Sequence, residues 1–192
     1  MKNIFRLLLV VPAPVLLLLP RIDAAFSATM PRKVLAEPIL LLFLGSMLSR
    51  LVPWARAASY APSAVAGATL VLMFWMIPRS IDLTQIDPNM NGLYVFSLFV
   101  VGFLLSHYLP LLPGVARAVH ALYFSSMIVA LGLLYVSLTA LLCSAFTLED
   151  QHAFGRLLVP LGLVLYTLAL VRIPRWLTSS ADSRQGMSAI GR

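Results

Sequence analysis

The sequence predicts an all-α protein, a polytopic integral membrane bundle of five or six transmembrane helices. Three observations predict it. Of 192 residues, 60% are hydrophobic and only 11% are charged, whereas a water-soluble domain of this length needs far more polar surface. Apolar runs of about 20 residues recur along the whole chain, each long enough to cross a hydrocarbon core of roughly 30 Å. The stretches between them are too short to hold a soluble domain of useful size.

Six apolar segments follow in order, at residues 4–20, 34–53, 58–78, 92–113, 118–146 and 156–173. Prolines punctuate them, Pro38 and Pro62 near starts and Pro53, Pro78, Pro113 and Pro174 at ends. Proline is tolerated in a first helical turn and discourages helix in the residue before it. The first segment has two readings. Lys2 and Arg6 ahead of LLLVVPAPVLLLLP fit a cleaved signal peptide, and the same run fits a short retained helix kinked at Pro12 and Pro14. The organisation expected is an N-terminal apolar segment over 1–28, a transmembrane helical domain over 29–174 and a flexible cytoplasmic tail over 175–192, the tail being polar and terminal.

The net charge is +7. In a soluble protein that would point to nucleic acid. Here the basic residues sit at the ends of apolar runs, where they report orientation, and no nucleic-acid partner is expected. With the N-terminus inside, Lys2, Arg6, Arg50, Arg56, Arg117, Arg172, Arg175, Arg184 and Arg192 are cytoplasmic, and Arg21, Arg32, Lys33, Arg79 and Arg156 are outside. The positive-inside rule therefore puts both termini in the cytoplasm of a bacterial inner membrane if the first segment is retained. FWMIPRSIDLTQIDPNMNGLY, residues 74–94, becomes an extracytoplasmic exit loop.

That outer face carries one candidate site. Asp82, Asp87, Asn89, Met90 and Asn91 come from residues 74–94, and Cys143, Glu149, Asp150 and His152 from the far end of the fifth segment and the loop after it. Thioether, thiol and imidazole suit a soft ion such as Cu(I). Met90, Cys143 and His152 are the candidate soft ligands, with Asp82, Asp87 and Asp150 nearby. The plain alternative is that the methionines fill helix contacts and the acids are solvated. The single cysteine excludes an internal disulfide framework.

The inner face carries a second. His107 and His120 lie six residues either side of the Pro113–Gly114 turn, which puts them at similar depth in an antiparallel hairpin. They are placed to share a metal or to act as axial ligands of haem b, with Arg117 available to a propionate. Alternatively each hydrogen-bonds to water or backbone at the interface. Arg79 and Asp82, three residues apart, read as a local ion pair or cap. Glu37 reads as an acid at the positive end of a helix dipole. There is no phosphate-binding glycine loop, no HExxH and no GxSxG, and no enzymatic activity is expected. Ser63/Gly67 and Ala64/Ala68 offer small-residue spacing for close helix packing in the third segment.

CSAFTLEDQHAFGRLL, residues 143–158, resembles the C-terminal region of the CtaG family, in which a helix ends in a Leu-Glu-Asp-Gln loop and a glycine opens the last helix. The matching residues are Leu148, Glu149, Asp150, Gln151 and Gly155. Trp75, Pro78 and Asp82 at a helix end are a looser likeness. The family's paired-histidine motif is absent, and Ala153 and Phe154 stand before the single Gly155. The resemblance implies a polytopic membrane protein serving assembly of caa-type cytochrome oxidases, with copper delivery. The function expected is therefore a membrane-embedded assembly or accessory factor for a respiratory copper-containing enzyme, handling Cu(I) at the extracytoplasmic face. The alternatives are a small haem-binding redox subunit using His107 and His120, and a ligand-free structural subunit of a larger membrane complex.

Overall fold

The computed structural model describes Val10, residues 12–52 and residues 57–190, with side chains as far as Leu177. Residues 4–9 and 11 of the first apolar segment, and Pro53 and Arg56, lie outside the described residues. Among the described residues the secondary structure is helical, with no strand. The α-helices run α1 (Ala13–Leu17), α2 (Pro20–Ser27), α3 (Glu37–Leu51), α4 (Ala61–Trp75), α5 (Pro78–Ile86), α6 (Pro88–Tyr108), α7 (Gly114–Ser137) and α8 (Leu148–Ile190). A π turn, Arg32–Ala36, leads into α3.

Five stretches are long and apolar enough to cross a membrane: Arg32–Leu51, Ala58–Trp75, Pro88–Leu111, Gly114–Ser137 and Leu148–Leu177. The protein is a multi-pass membrane protein. Phe43, Leu70, Phe96, Val119, Leu163 and Val171 are exposed on these spans, as an apolar solvent permits.

Proline starts the helices here. Each of α1 to α6 carries it at the first or second position, where the missing N–H has no intrahelical partner to lose. This corrects the reading of residues 74–94 as a loop. Ile77 and Asp87 precede Pro78 and Pro88 and are extended, with ψ of 129° and 114°, as proline imposes on the residue before it. Between these two breaks the chain forms α5, whose Ser80, Ile81, Asp82 and Thr84 are buried.

Two further boundaries differ from expectation. The fifth segment leaves the helix after Ser137, and residues 138–147 run without helix. Thr139, Cys143, Ser144 and Thr147 are weak helix formers, and side chains from α5 and α8 take up the backbone groups there. The sixth segment, expected over 156–173, lies within α8, which begins at Leu148 and runs to Ile190 with Pro160 and Pro174 inside the helix.

The chain divides into two compact units. One comprises residues 1–111 with 139–154, the other residues 112–138 with 155–192. In the first, α3 and α6 touch backbone to backbone. A Cβ on Gly45 would overlap the carbonyl oxygen of Phe99 and lie 2.7 Å from the Phe103 nitrogen, and one on Gly102 would overlap the Leu42 carbonyl. In the second, a Cβ on Gly155 would lie 2.8 Å from the Gly132 carbonyl oxygen, and one on Gly162 would lie 2.9 Å from the Val129 nitrogen. The small-residue contact expected at Ser63/Gly67 is not made: a Cβ on Gly67 would meet nothing within 4 Å. Close approach requires glycine only where a second backbone arrives.

Candidate functional site

The first unit holds a buried ionic cluster beneath a cleft. Lys33 follows the proline that begins the π turn and is 1% exposed. Its Nζ donates to Asn91 Oδ1 at 2.8 Å and to Asp23 Oδ1 at 3.0 Å. It also stands 3.0 Å from Glu37 Oε2 and 5.2 Å from the centre of the Tyr94 ring. Asn91 Nδ2 donates to Asp23 Oδ1 at 3.0 Å, so one amide grips both members of the ion pair. The Tyr94 hydroxyl donates to the Lys33 carbonyl at 2.6 Å, a group left over by the irregular hydrogen bonding of the π turn. Trp75 packs edge-on against Tyr94 at 5.1 Å, and its Nε1 donates to Ser97 Oγ at 2.8 Å.

Four elements therefore meet at Lys33: α2 through Asp23, the π turn, α3 through Glu37, and α6 through Asn91 and Tyr94. A cleft of about 330 Å³ lies against this cluster, lined by Leu18, Pro20, Asp23, Thr84, Gln85, Ile86, Pro88 and Asn91. Asp23 and Asn91 belong to both. Asp23 is 31% exposed at its side chain, whereas Glu37 is fully buried.

Sequence reasoning missed this cluster. Lys33 and Asp23 read as flanking charges, and Glu37 as an acid at a helix start. The helix instead begins upstream of Glu37, through the π turn, and the Glu37 carboxylate faces Lys33. The available signal was the i,i+4 spacing of Lys33 and Glu37 at the head of an apolar run. The third and fourth partners, Asp23 and Asn91, lie 10 and 58 residues from Lys33, and nothing local connects them.

The predicted outer-face residues are placed as follows. Asp82 does not pair with Arg79. Its Oδ2 accepts from the Ser144 N–H and hydroxyl, both at 2.9 Å, and its Oδ1 accepts from the Ala145 N–H at 3.1 Å. Cys143 is buried, and its Sγ lies 3.8 Å from the Pro78 carbonyl it donates to. Asp82 and Cys143 are thus brought together, both fastening residues 138–147 to α5. Asp87 caps α6, its Oδ1 accepting from the Asn89 N–H at 2.8 Å. Met90 is half-buried on the first turn of α6. Asp150 is engaged with Thr147: its N–H donates to Thr147 Oγ1 at 3.1 Å and the hydroxyl donates back to Asp150 Oδ2 at 2.9 Å, a reciprocal cap that starts α8. Gln151 Oε1 accepts from the Leu142 N–H at 2.8 Å, and its Nε2 donates to the Ala140 carbonyl at 3.2 Å. His152 is half-buried on α8. Among the described residues, no three His, Cys, Asp or Glu side chains stand close enough together to hold a metal ion.

His107 and His120 fall into different units. His107 is 2% exposed and stacks on Phe103, with centres 5.5 Å apart. Neither of its ring nitrogens has a hydrogen-bond partner among the described residues. His120 is half-buried and stacks on Phe124 at 6.2 Å. Each histidine thus rests on an aromatic one turn away on its own helix.

Comparison of the chain with family models, with curated proteins and with solved structures finds no match.

Proposed function

We propose that this chain is a non-catalytic accessory protein of a bacterial inner membrane, with the cleft over Lys33 as its working site. The observation that carries this reading is the buried ammonium of Lys33, held by Asp23, Glu37 and Asn91 against an open cleft. Ionisable groups inside a membrane span are costly, and where they are kept they mark binding or transfer sites. No nucleophile–base pair accompanies the cluster, so binding suits it better than bond-making chemistry. The positive-inside count puts the cleft on the extracytoplasmic side.

The process served is assembly or upkeep of a respiratory copper-containing enzyme. The resemblance at Leu148–Gln151 supports this; of those residues, Asp150 caps α8 with Thr147 and Gln151 holds Ala140 and Leu142. A strain lacking the protein is expected to assemble its terminal oxidase with depleted copper and unchanged haem. The wild-type chain would restore the copper, and Lys33→Met would not. Full copper occupancy in the deletion strain would overturn the reading. Direct Cu(I) handling is a separate question. If Met90, Cys143 and His152 bind the ion, Cu(I) affinity falls in the triple variant Met90→Leu, Cys143→Ser, His152→Ala.

A second reading rests on His107, whose buried and unpartnered ring nitrogens suit an axial ligand of haem b. An optical spectrum of the protein purified with haem available decides it, since a haem subunit displays haem absorption bands.

A further inference from the structure

We infer that the Asp23–Lys33–Glu37 cluster binds one further monovalent cation, admitted through the cleft. The inference rests on reading that cleft as the working site and names the chemistry of its ligand.

The argument starts from charge. Two carboxylates face one ammonium, so the cluster by itself carries one negative charge in excess. Among the described residues, the neighbouring elements contribute to that count as follows. From α2 comes Asp23, from the π turn Lys33, from α3 Glu37, and from α6 the neutral Asn91 and Tyr94. The Tyr94 proton is already given to the Lys33 carbonyl. From α5, Thr84 and Gln85 line the cleft and bring no charge. Arg21 and Arg32 are exposed and form no ion pair with Asp23 or Glu37. The N-terminus of α6 offers a partial positive charge, but Asp87 already caps it. An uncompensated charge in a low-dielectric interior is strongly disfavoured.

A second observation concerns the carboxylates themselves. Glu37 is fully buried, and its Oε1 has no hydrogen-bond partner among the described residues. Asp23 Oδ1 is used twice, by Lys33 and by Asn91. Its carboxylate is also the charged wall of the cleft. Asp23 and Asn91 line the cleft and both bond to the Lys33 ammonium, whose other partner is Glu37.

The donors on offer are carboxylate and amide oxygens, which suit a hard cation and not Cu(I). One positive charge balances the cluster, whereas a divalent ion would reverse the imbalance. The shared chemistry is therefore a single hard positive charge. It arrives either as a proton on a carboxyl group or as an alkali cation between the carboxylates.

Infrared difference spectroscopy on the purified full chain in lipid nanodiscs tests this. The sequence has only two glutamates, Glu37 and Glu149, so ¹³C-carboxyl glutamate labelling is nearly site-specific. A protonated-carboxyl band at neutral pH in choline buffer, shifted by the label and lost in Glu37→Gln, identifies the proton. A saturable shift of the carboxylate bands and a rise in melting temperature on adding sodium or potassium, both lost in Glu37→Gln, identify the alkali cation. A wild-type protein with neither signal overturns the inference, whether or not the variant folds. Oxidase copper in the deletion strain is read independently, so the failure of one proposal is distinguishable from the failure of the other.

Discussion

Lys33 Nζ stands 3.0 Å from Glu37 Oε2 with a π turn between the two residues, the Glu37 N–H reaching back to the Arg32 carbonyl. π turns inside membrane helices are uncommon and recur at functional sites. Here the irregular turn coincides with the place where a lysine and a glutamate, both fully withdrawn from solvent, share an apolar span with the most polar residues of α6.

The ammonium is the keystone of the cluster. Lys33→Met leaves Glu37 without its ammonium partner and Asp23 with the Asn91 amide alone, and breaking a buried pair in this way costs about 3–5 kcal/mol. Reversible unfolding in mixed micelles should register that loss. Glu37→Gln removes one of the two acids and keeps the shape, so its cost is expected to be clearly smaller. Equal losses for the two variants would contradict the charge count.

The contact between α3 and α6 is set by glycine. Gly45→Ala forces a methyl group into the Phe99 carbonyl, and overpacking of this kind costs about 1–3 kcal/mol. Gly67→Ala meets nothing within 4 Å, and replacing a helical glycine gains up to about 1 kcal/mol. The two variants should move the melting temperature in opposite directions.

Asp82 fastens residues 138–147 by three hydrogen bonds to Ser144 and Ala145. Hydrogen bonds to a charged group contribute about 1.5–3 kcal/mol, so Asp82→Asn frees this segment at least in part. Cys143 is the reporter. It is buried in the wild-type protein and should react slowly with a maleimide. Labelling should accelerate about tenfold or more in Asp82→Asn, a factor that corresponds to roughly 1.4 kcal/mol. An unchanged rate would mean that other contacts hold the segment.

His107 presents two buried ring nitrogens without partners among the described residues. An apolar ring of similar shape removes that penalty and keeps the stack on Phe103. If no ligand binds there, His107→Phe is expected to be neutral or stabilising in thermal unfolding. A marked loss would mean that the imidazole nitrogens serve a bound group, and the haem reading would gain.

The sequence alone determined the class of molecule and left the number of crossings at five or six. Apolar runs of membrane-spanning length have one solution in lipid, because every backbone N–H and C=O must be satisfied within its own segment. The prolines were only partly legible: Pro78, expected at a segment end, begins α5, and Pro174, expected at another, lies inside α8. That residues 74–94 and 143–151 belong together was also visible, since both were assigned to the outer face, and Asp82 joins them through Ser144 and Ala145. Tertiary structure decided what each polar residue does. Asp82, Asp87 and Asp150 were chosen as ligand candidates by type. In the folded chain Asp82 and Asp87 accept from backbone amides, and Asp150 accepts from the Thr147 hydroxyl. Asp23, Lys33 and Glu37 were taken as flanking or capping groups and Asn91 as part of the outer-face site, and together they form the buried cluster. The physical reason is one of range. Membrane crossing is a property of a single segment and is written in about 20 consecutive residues. An ionic cluster is a property of helices brought side by side, and its partners, such as Lys33 and Asn91, stand 58 residues apart.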